Sequence, residues 1–366
     1  MKEKIAPARY PKAVSNTVDY KSAGVDIEAG NEAVRRMKQH VARTHGPSVL
    51  TQLGAFGSLF SLGDAVRGMA EPVMVQSTDG CGTKTLVTVM AGRYESLGRD
   101  LVAAVAGDIA VMGARPLTFL DYLGVHKVEP DVIEALVHGM SAACEEAGIA
   151  LVGGETAEMP AVYAAGDLDV VGFVTGVVDK SKLLTGAGIV PGDVLYAINS
   201  SGLHTNGYSL ARKLFFEVAG LDIQAAPEEL GGASLADVLL APHTNYVAAI
   251  RAILDAGVPV RGMAHITGGG LTENVPRILP EGLGVEIDRC TWTPQPVFGM
   301  MQRLGNITDA EMLRAFNMGV GLVIVATAGL TEQLASIVKS HSHLRVWELG
   351  RVVANATGVA YVRSEA

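Results

Sequence analysis

Aromatic side chains are scarce in this chain, at 5% of 366 residues, and charged ones reach only 18%. Cysteine is rarer still: Cys81, Cys144 and Cys290, none at a CxxC spacing. An odd number without paired spacing excludes a disulfide framework and fits a reducing compartment. No apolar run reaches the ~18 residues a membrane helix needs. Residues 1–16 carry charges and two prolines where a secretory leader needs an apolar stretch, so a cytoplasmic protein is expected. Basic charge is also short, with 29 Lys and Arg against 38 Asp and Glu and a net charge of −9. That balance excludes a general nucleic-acid surface but leaves room for local phosphate sites built from backbone N–H groups and a few lysines. Apolar residues (49%) and glycine are abundant. The 43 glycines, against roughly 7% in average chains, cluster between apolar runs and mark loops where backbone approaches something closely.

The length suits two domains. Residues 1–20 read as an arm, 21–180 and 181–366 as the domains, with a turn-rich boundary over 180–192. In the first, periodicity predicts helices over 29–44, 99–113 and 131–147 and strands over 73–77, 117–123, 149–152 and 170–178. In the second it predicts strands over 194–199, 320–326 and 346–353 and helices over 208–218, 244–256 and 331–339. The order mixes α and β without the alternation of a simple parallel sheet.

Several acids occupy apolar settings. Strand alternation puts Asp121 on the face of Leu117, Phe119 and Leu123. Helical spacing puts Asp108 on the stripe of Leu101, Val105 and Met112. Asp79 ends a strand in a glycine turn, and Glu155 follows Gly153-Gly154 in what reads as another loop. Carboxylates without clustered His or Cys, taken as a set with glycines beside two of them, suit Mg²⁺, although a single acid is more often a cap or turn residue. Asp79-Gly80-Cys81-Gly82-Thr83-Lys84 has the make-up of a phosphate cradle, with two glycines exposing N–H groups and a lysine as point charge. It lacks Walker A spacing, and a glycine turn opening a helix explains it as well. Gly54, Phe56 and Gly57 form either a flap over phosphates or a tight apolar turn. His204 and Asn206 precede a helix start able to hold an anion, where an N-cap role is the alternative. His265 before Gly268-Gly269-Gly270 is an anion loop or a turn with a structural histidine.

Taken together, Tyr20-Lys-Ser-Ala-Gly-Val-Asp26, Asp79–Lys84, Phe119-Leu-Asp121-Tyr, Gly153-Gly-Glu155-Thr-Ala-Glu-Met-Pro160, Ser201-Gly-Leu-His204-Thr-Asn206-Gly and His265-Ile-Thr-Gly-Gly-Gly270 occur in order from residue 20 onward. The chain resembles the phosphoribosylformylglycinamidine cyclo-ligases. The resemblance implies a mixed α/β fold, with an N-terminal half whose strands build an intersubunit β-barrel in a homodimer and a C-terminal half of helices on a sheet. It implies that ATP phosphorylates the formyl oxygen of formylglycinamidine ribonucleotide, after which a substrate nitrogen closes the imidazole ring and phosphate leaves. It further implies Mg²⁺ and ATP phosphates near Asp79, Gly80, Gly82, Thr83, Lys84, Asp108 and Asp121, under a flap of Gly54, Phe56 and Gly57. Lys84, Glu155 and His204 would serve catalysis. Gly153, Gly154, Glu155, His204, Asn206, His265 and Gly268 to Gly270 would hold substrate. Three positions depart from the family pattern: Gly107 replaces the usual Asn, and Gly124 and His126 the usual Ala and Gly.

Overall fold

The computed structural model describes residues 19–340 and 343–363. The expected arm lies outside them except for Asp19 and Tyr20. The first half contains α1 (Ile27–Arg43), β1 (Pro72–Gly80), α2 (Lys84–Ala91), α3 (Glu95–Ala110), β2 (Arg115–Val125), α4 (Pro130–Ala147), β3 (Ala150–Glu158) and β4 (Leu168–Asp179). The second contains β5 (Val194–Asn199), α5 (Tyr208–Arg212), α6 (Leu235–Leu239), α7 (Val247–Asp255), β6 (Val260–His265), α8 (Gly270–Asn274), β7 (Leu283–Asp288), α9 (Pro296–Gly305), α10 (Asp309–Ala315), β8 (Val320–Ala326), α11 (Thr331–Val338), β9 (Val346–Ala354) and β10 (Gly358–Val362).

Each half has its own sheet. The first runs β1-β4-β2-β3, with only β2 and β3 parallel. The second runs β10-β7-β9-β5-β8-β6, with only β10 and β7 parallel. Along β2 and β4, alternate residues such as Phe119, Leu123, Val170 and Val174 are buried beneath α3 and α4. The two helices cross backbone to backbone. A Cβ on Gly98 would lie 2.0 Å from the Leu136 carbonyl oxygen, and one on Gly139 would lie 2.0 Å from that of Glu95. The opening of α1 is pinned to this sheet: Asp26 caps the helix through Ala29 N–H, and Glu158 accepts hydrogen bonds from the N–H groups of Asp26 and Val128. One continuous buried cluster joins the halves, taking in Leu101, Val105 and Phe119 from the first and Tyr196, Val247, Ile250 and Leu322 from the second.

The structure corrects several sequence expectations. β1 extends through Asp79 and Gly80, so the acid stands on a strand rather than beyond it. Gly153, Gly154 and Glu155 lie inside β3, because pairing with β2 continues to Glu158 and overrides the low strand propensity of two glycines. The helix expected over 208–218 is one α-turn followed by a π-helical segment, Lys213–Val218. Asp108 is half-buried, with its side chain 35% exposed, and Met112 is exposed, so the buried stripe of α3 does not include them.

Candidate active site

The sequence-predicted residues gather in two places. The first is the seam between the halves. There β1 ends in a turn at Cys81–Thr83, and Thr83 Oγ1 lies 2.9 Å from Ser209 Oγ at the start of α5. Asn206 faces Gly268, with its Oδ1 3.1 Å from where a Gly268 Cβ would stand. Asn274 Nδ2 donates to the carbonyls of Thr267, Gly268 and Gly270 and holds the glycine turn closed. Asp108 lies beneath this turn and accepts from His265 Nδ1 at 2.9 Å and from Ser77 at 3.4 Å. His265 Nε2 is 3.0 Å from His243 Nε2, and the His243 ring stacks on that of His204 at 3.9 Å. The two ring nitrogens of His265 thus join Asp108 on one side and His243 on the other.

Two assignments change here. Lys84, expected to meet phosphate, is fully buried; its ammonium lies 2.7 Å from Asp100 and donates to the carbonyls of His204 and Ala241. Burial opposes its charge, but the Asp100 carboxylate and Tyr208 outweigh that and leave its pKa raised. Its aliphatic neighbours in α2 draw it inward, and the glycine turn opens that helix. His204, expected to touch substrate, is also fully enclosed, and burial holds its pKa well below 6.5. Its Nε2 faces the N–H groups of Ser201 and Thr244, which fixes that nitrogen as an acceptor.

The second place is a cavity of about 920 Å³ between α1, α4 and the β2–β3 edge of the sheet. Its mouth is flanked by a hairpin closed by the Val49–Phe60 bridge, with Gly54, Phe56 and Gly57 near the tip. Val34, Met37, Leu53, Val137 and Leu151 supply apolar wall; Asp121, Gly153, Gly154 and Glu155 supply the polar edge. Gly154 stands opposite Asp121 on the neighbouring strand, and a Cβ there would come 2.3 Å from Asp121 Oδ1. Burial, with a smaller contribution from Glu155, raises the Asp121 pKa to about 7. Asp79 and Asp121 both pair with Gly172 of β4, one from each side, so they share a face about 10 Å apart by strand spacing. Among the described residues, no group of three or more His, Cys, Asp or Glu converges to hold a metal. The acids therefore form no preassembled cage. They suit Mg²⁺ carried by a nucleotide, which needs only one or two carboxylates beside phosphate oxygens.

Asp100 and His243 were not anticipated. His243 lies in an irregular segment without periodicity. Asp100 shares a helical face with Ala103, Ala104 and Gly107, a stripe of small buried residues that signals close packing.

Residues 64–178 match the model of the AIR synthase related protein N-terminal domain, and residues 190–363 match its C-terminal domain. A phosphoribosylformylglycinamidine cyclo-ligase from Methylobacillus flagellatus is 45% identical over 94% of this chain and 97% of its own length. One from Bifidobacterium longum subsp. infantis is 45% identical over 94% and 98%. The chain belongs to this cyclo-ligase family. It is thus a ligase of purine biosynthesis. Among solved structures, thiamine-monophosphate kinase from Stenotrophomonas maltophilia has the same fold, with a TM-score of 0.67 at 20% identity over 92% of this chain and 97% of that one. The Escherichia coli hydrogenase maturation protein HypE matches with a TM-score of 0.63 at 18% identity over 90% and 93%.

The three positions expected to depart from the family pattern are packed against specific partners. A Cβ at Gly107 would lie 2.7 Å from His265 Cε1, so glycine makes room for the ring on Asp108. A Cβ at Gly124 would lie 2.3 Å from the Tyr163 hydroxyl oxygen, and His126 Nδ1 is 2.8 Å from the Tyr163 carbonyl oxygen. Gly124 and His126 thus accommodate and hold one tyrosine.

Proposed function

We propose that the two places bind the two substrates of the cyclo-ligase reaction. ATP enters the cavity of about 920 Å³, whose size and apolar walls suit a nucleoside. Formylglycinamidine ribonucleotide takes the seam, where the turn after β1 meets the 206–209 and 267–270 segments. The observation that carries this reading is the Asp108–His265 pair at that seam, with Asp108 partly exposed and His265 buried and braced by His243.

The formyl oxygen attacks the γ-phosphorus of ATP and ADP departs; a substrate nitrogen then attacks the activated carbon, phosphate leaves and the nitrogen loses a proton. Asp108, oriented by His265, takes up that proton. Gly82, Thr83, Asn206 and the Gly268–Gly270 turn hold the ribose phosphate through N–H and hydroxyl donors. Asp79 and Asp121 would hold Mg²⁺ carried by the nucleotide, which would supply neutralisation of phosphate charge. Glu155 and the glycines before it line the nucleotide cavity, a change from their expected place with substrate. Residues 21–180 serve nucleotide binding and dimerisation and 181–366 the ribonucleotide, in a cytoplasmic homodimer. The outer face of the first sheet supports the dimer: Met74, Leu120 and Phe173 lie there 60%, 40% and 44% exposed.

The test is ATP- and Mg²⁺-dependent conversion of formylglycinamidine ribonucleotide, read as phosphate and aminoimidazole product, with Asp108→Asn in parallel. Wild-type turnover with a loss of about 10²–10⁴-fold in the variant supports the assignment. Full activity in Asp108→Asn removes Asp108 from the chemistry.

A further inference from the structure

Lys84 and Asp100 both have 0% exposed side chains, and both come from the first half of the chain. Their hydrogen bonds cross into the second. Lys84 Nζ donates to His204 O at 2.9 Å and Ala241 O at 3.2 Å. Asp100 Oδ1 accepts from His243 N at 2.6 Å, while Oδ2 lies 2.7 Å from Lys84 Nζ. One ion pair thus grips three backbone groups on two separate loops. Those loops carry the rings that lead to Asp108: His204 stacked on His243, His243 against His265, His265 on Asp108. His204 itself sits at φ +62, in the left-handed region a non-glycine residue rarely occupies. Its carbonyl is one of the two that Lys84 holds.

A buried ion pair adds little stability over a well-packed apolar pair, because desolvation offsets the attraction. An apolar pair could fill the same space, but it could not bond carbonyls and an N–H group across the seam. We infer that Asp100 and Lys84 are positioning residues, which fix the 204 and 241–243 segments so that His243 sets the ring orientation of His265 and, through it, Asp108. On this account the lysine that closes the glycine turn acts on the reaction without touching phosphate. The inference rests on the seam being the reactive site.

The decisive comparison is the double variant Lys84→Met/Asp100→Leu against wild type and Asp100→Asn. The double variant leaves two carbonyls and one N–H unbonded and should melt below wild type; where it folds it should hold KM for ATP within about threefold and lose about a hundredfold in kcat, the scale of a 1 Å misplacement. Asp100→Asn preserves the acceptor for His243 N–H and should retain more kcat than the double variant. A folded double variant with kcat within threefold of wild type overturns the inference. So does a tenfold rise in KM for ATP at unchanged kcat, which would make Lys84 a phosphate ligand. If the double variant does not fold, Lys84→Met decides, because it removes the bonds to the His204 and Ala241 carbonyls: kcat at least tenfold lower at constant KM sustains the inference, and unchanged kcat ends it. Imidazole ¹⁵N signals of His265 give a reading independent of turnover. A hydrogen-bonded Nδ1–H that persists unaltered in the folded variants overturns the positioning role even if the wild type proves inactive on this substrate, an outcome that would separately defeat the proposed function.

Discussion

His204 and His243 are enclosed by protein, and burial holds both pKa values well below 6.5. In the folded chain they stay neutral, while in the unfolded chain they protonate as pH falls past about 6.5. The unfolded state then binds more protons, so stability should be flat above pH 7 and fall below 6.5 by up to about 1.4 kcal/mol per pH unit for each histidine. Urea denaturation at pH 7.5 and 5.5 measures the slope, and His243→Asn should make it shallower. Asp121 behaves in the opposite sense. Its carboxyl titrates near 7 when folded and near 3.8 when unfolded, so it costs stability as pH rises from about 4 to 7. Asp121→Asn should therefore melt above wild type at pH 8 in chelator-treated buffer, yet lose ATP-dependent turnover. A variant no more stable than wild type would show that the carboxylate is well solvated.

Helices α3 and α4 touch through glycines, and this contact sets how closely they cover the first sheet. Gly98→Ala would push a methyl group into the Leu136 carbonyl and force the helices apart. A loss of about 1–3 kcal/mol in denaturant stability is expected, the usual cost of overpacking. An unchanged midpoint would mean that α4 shifts freely. At this scale much of the architecture was legible. β5 and β8 are continuous apolar runs and were placed with their observed limits, as fully buried central strands should be. β6 and β7 went unread because each is short and interrupted by glycine and charge, and β10 because it has only five residues; pairing with neighbours defines all three more than their own sequence does. Of the candidate site, the residues Asp79, Asp108, Asp121 and His265 stand out in the sequence. Their division into two places does not, because it depends on which strand lies beside which. Nor could the sequence tell that Lys84 points inward, since a glycine turn followed by lysine reads alike whether the ammonium meets phosphate or a buried carboxylate.

For the molecule as a whole, the first sheet has one face under helices; the other is covered by the 60–69 segment at Leu117 and Val177 and exposed at Met74, Leu120 and Phe173. Met74→Glu should place a charge on that exposed face, away from the cavity, and give a folded monomer in equilibrium sedimentation where the wild type is expected to be a dimer. A variant that still dimerises would locate the subunit contact elsewhere. The continuous core between the halves has a different implication. Leu101 and Phe119 belong to the same buried cluster as Tyr196 and Ile250, so neither half owns a complete interior. Cutting the gene between residues 185 and 188 would leave two polypeptides with open apolar flanks. Each alone should be insoluble or unfolded, and co-expression should rescue both as a split enzyme whose reassembly depends on the two pieces meeting before either aggregates.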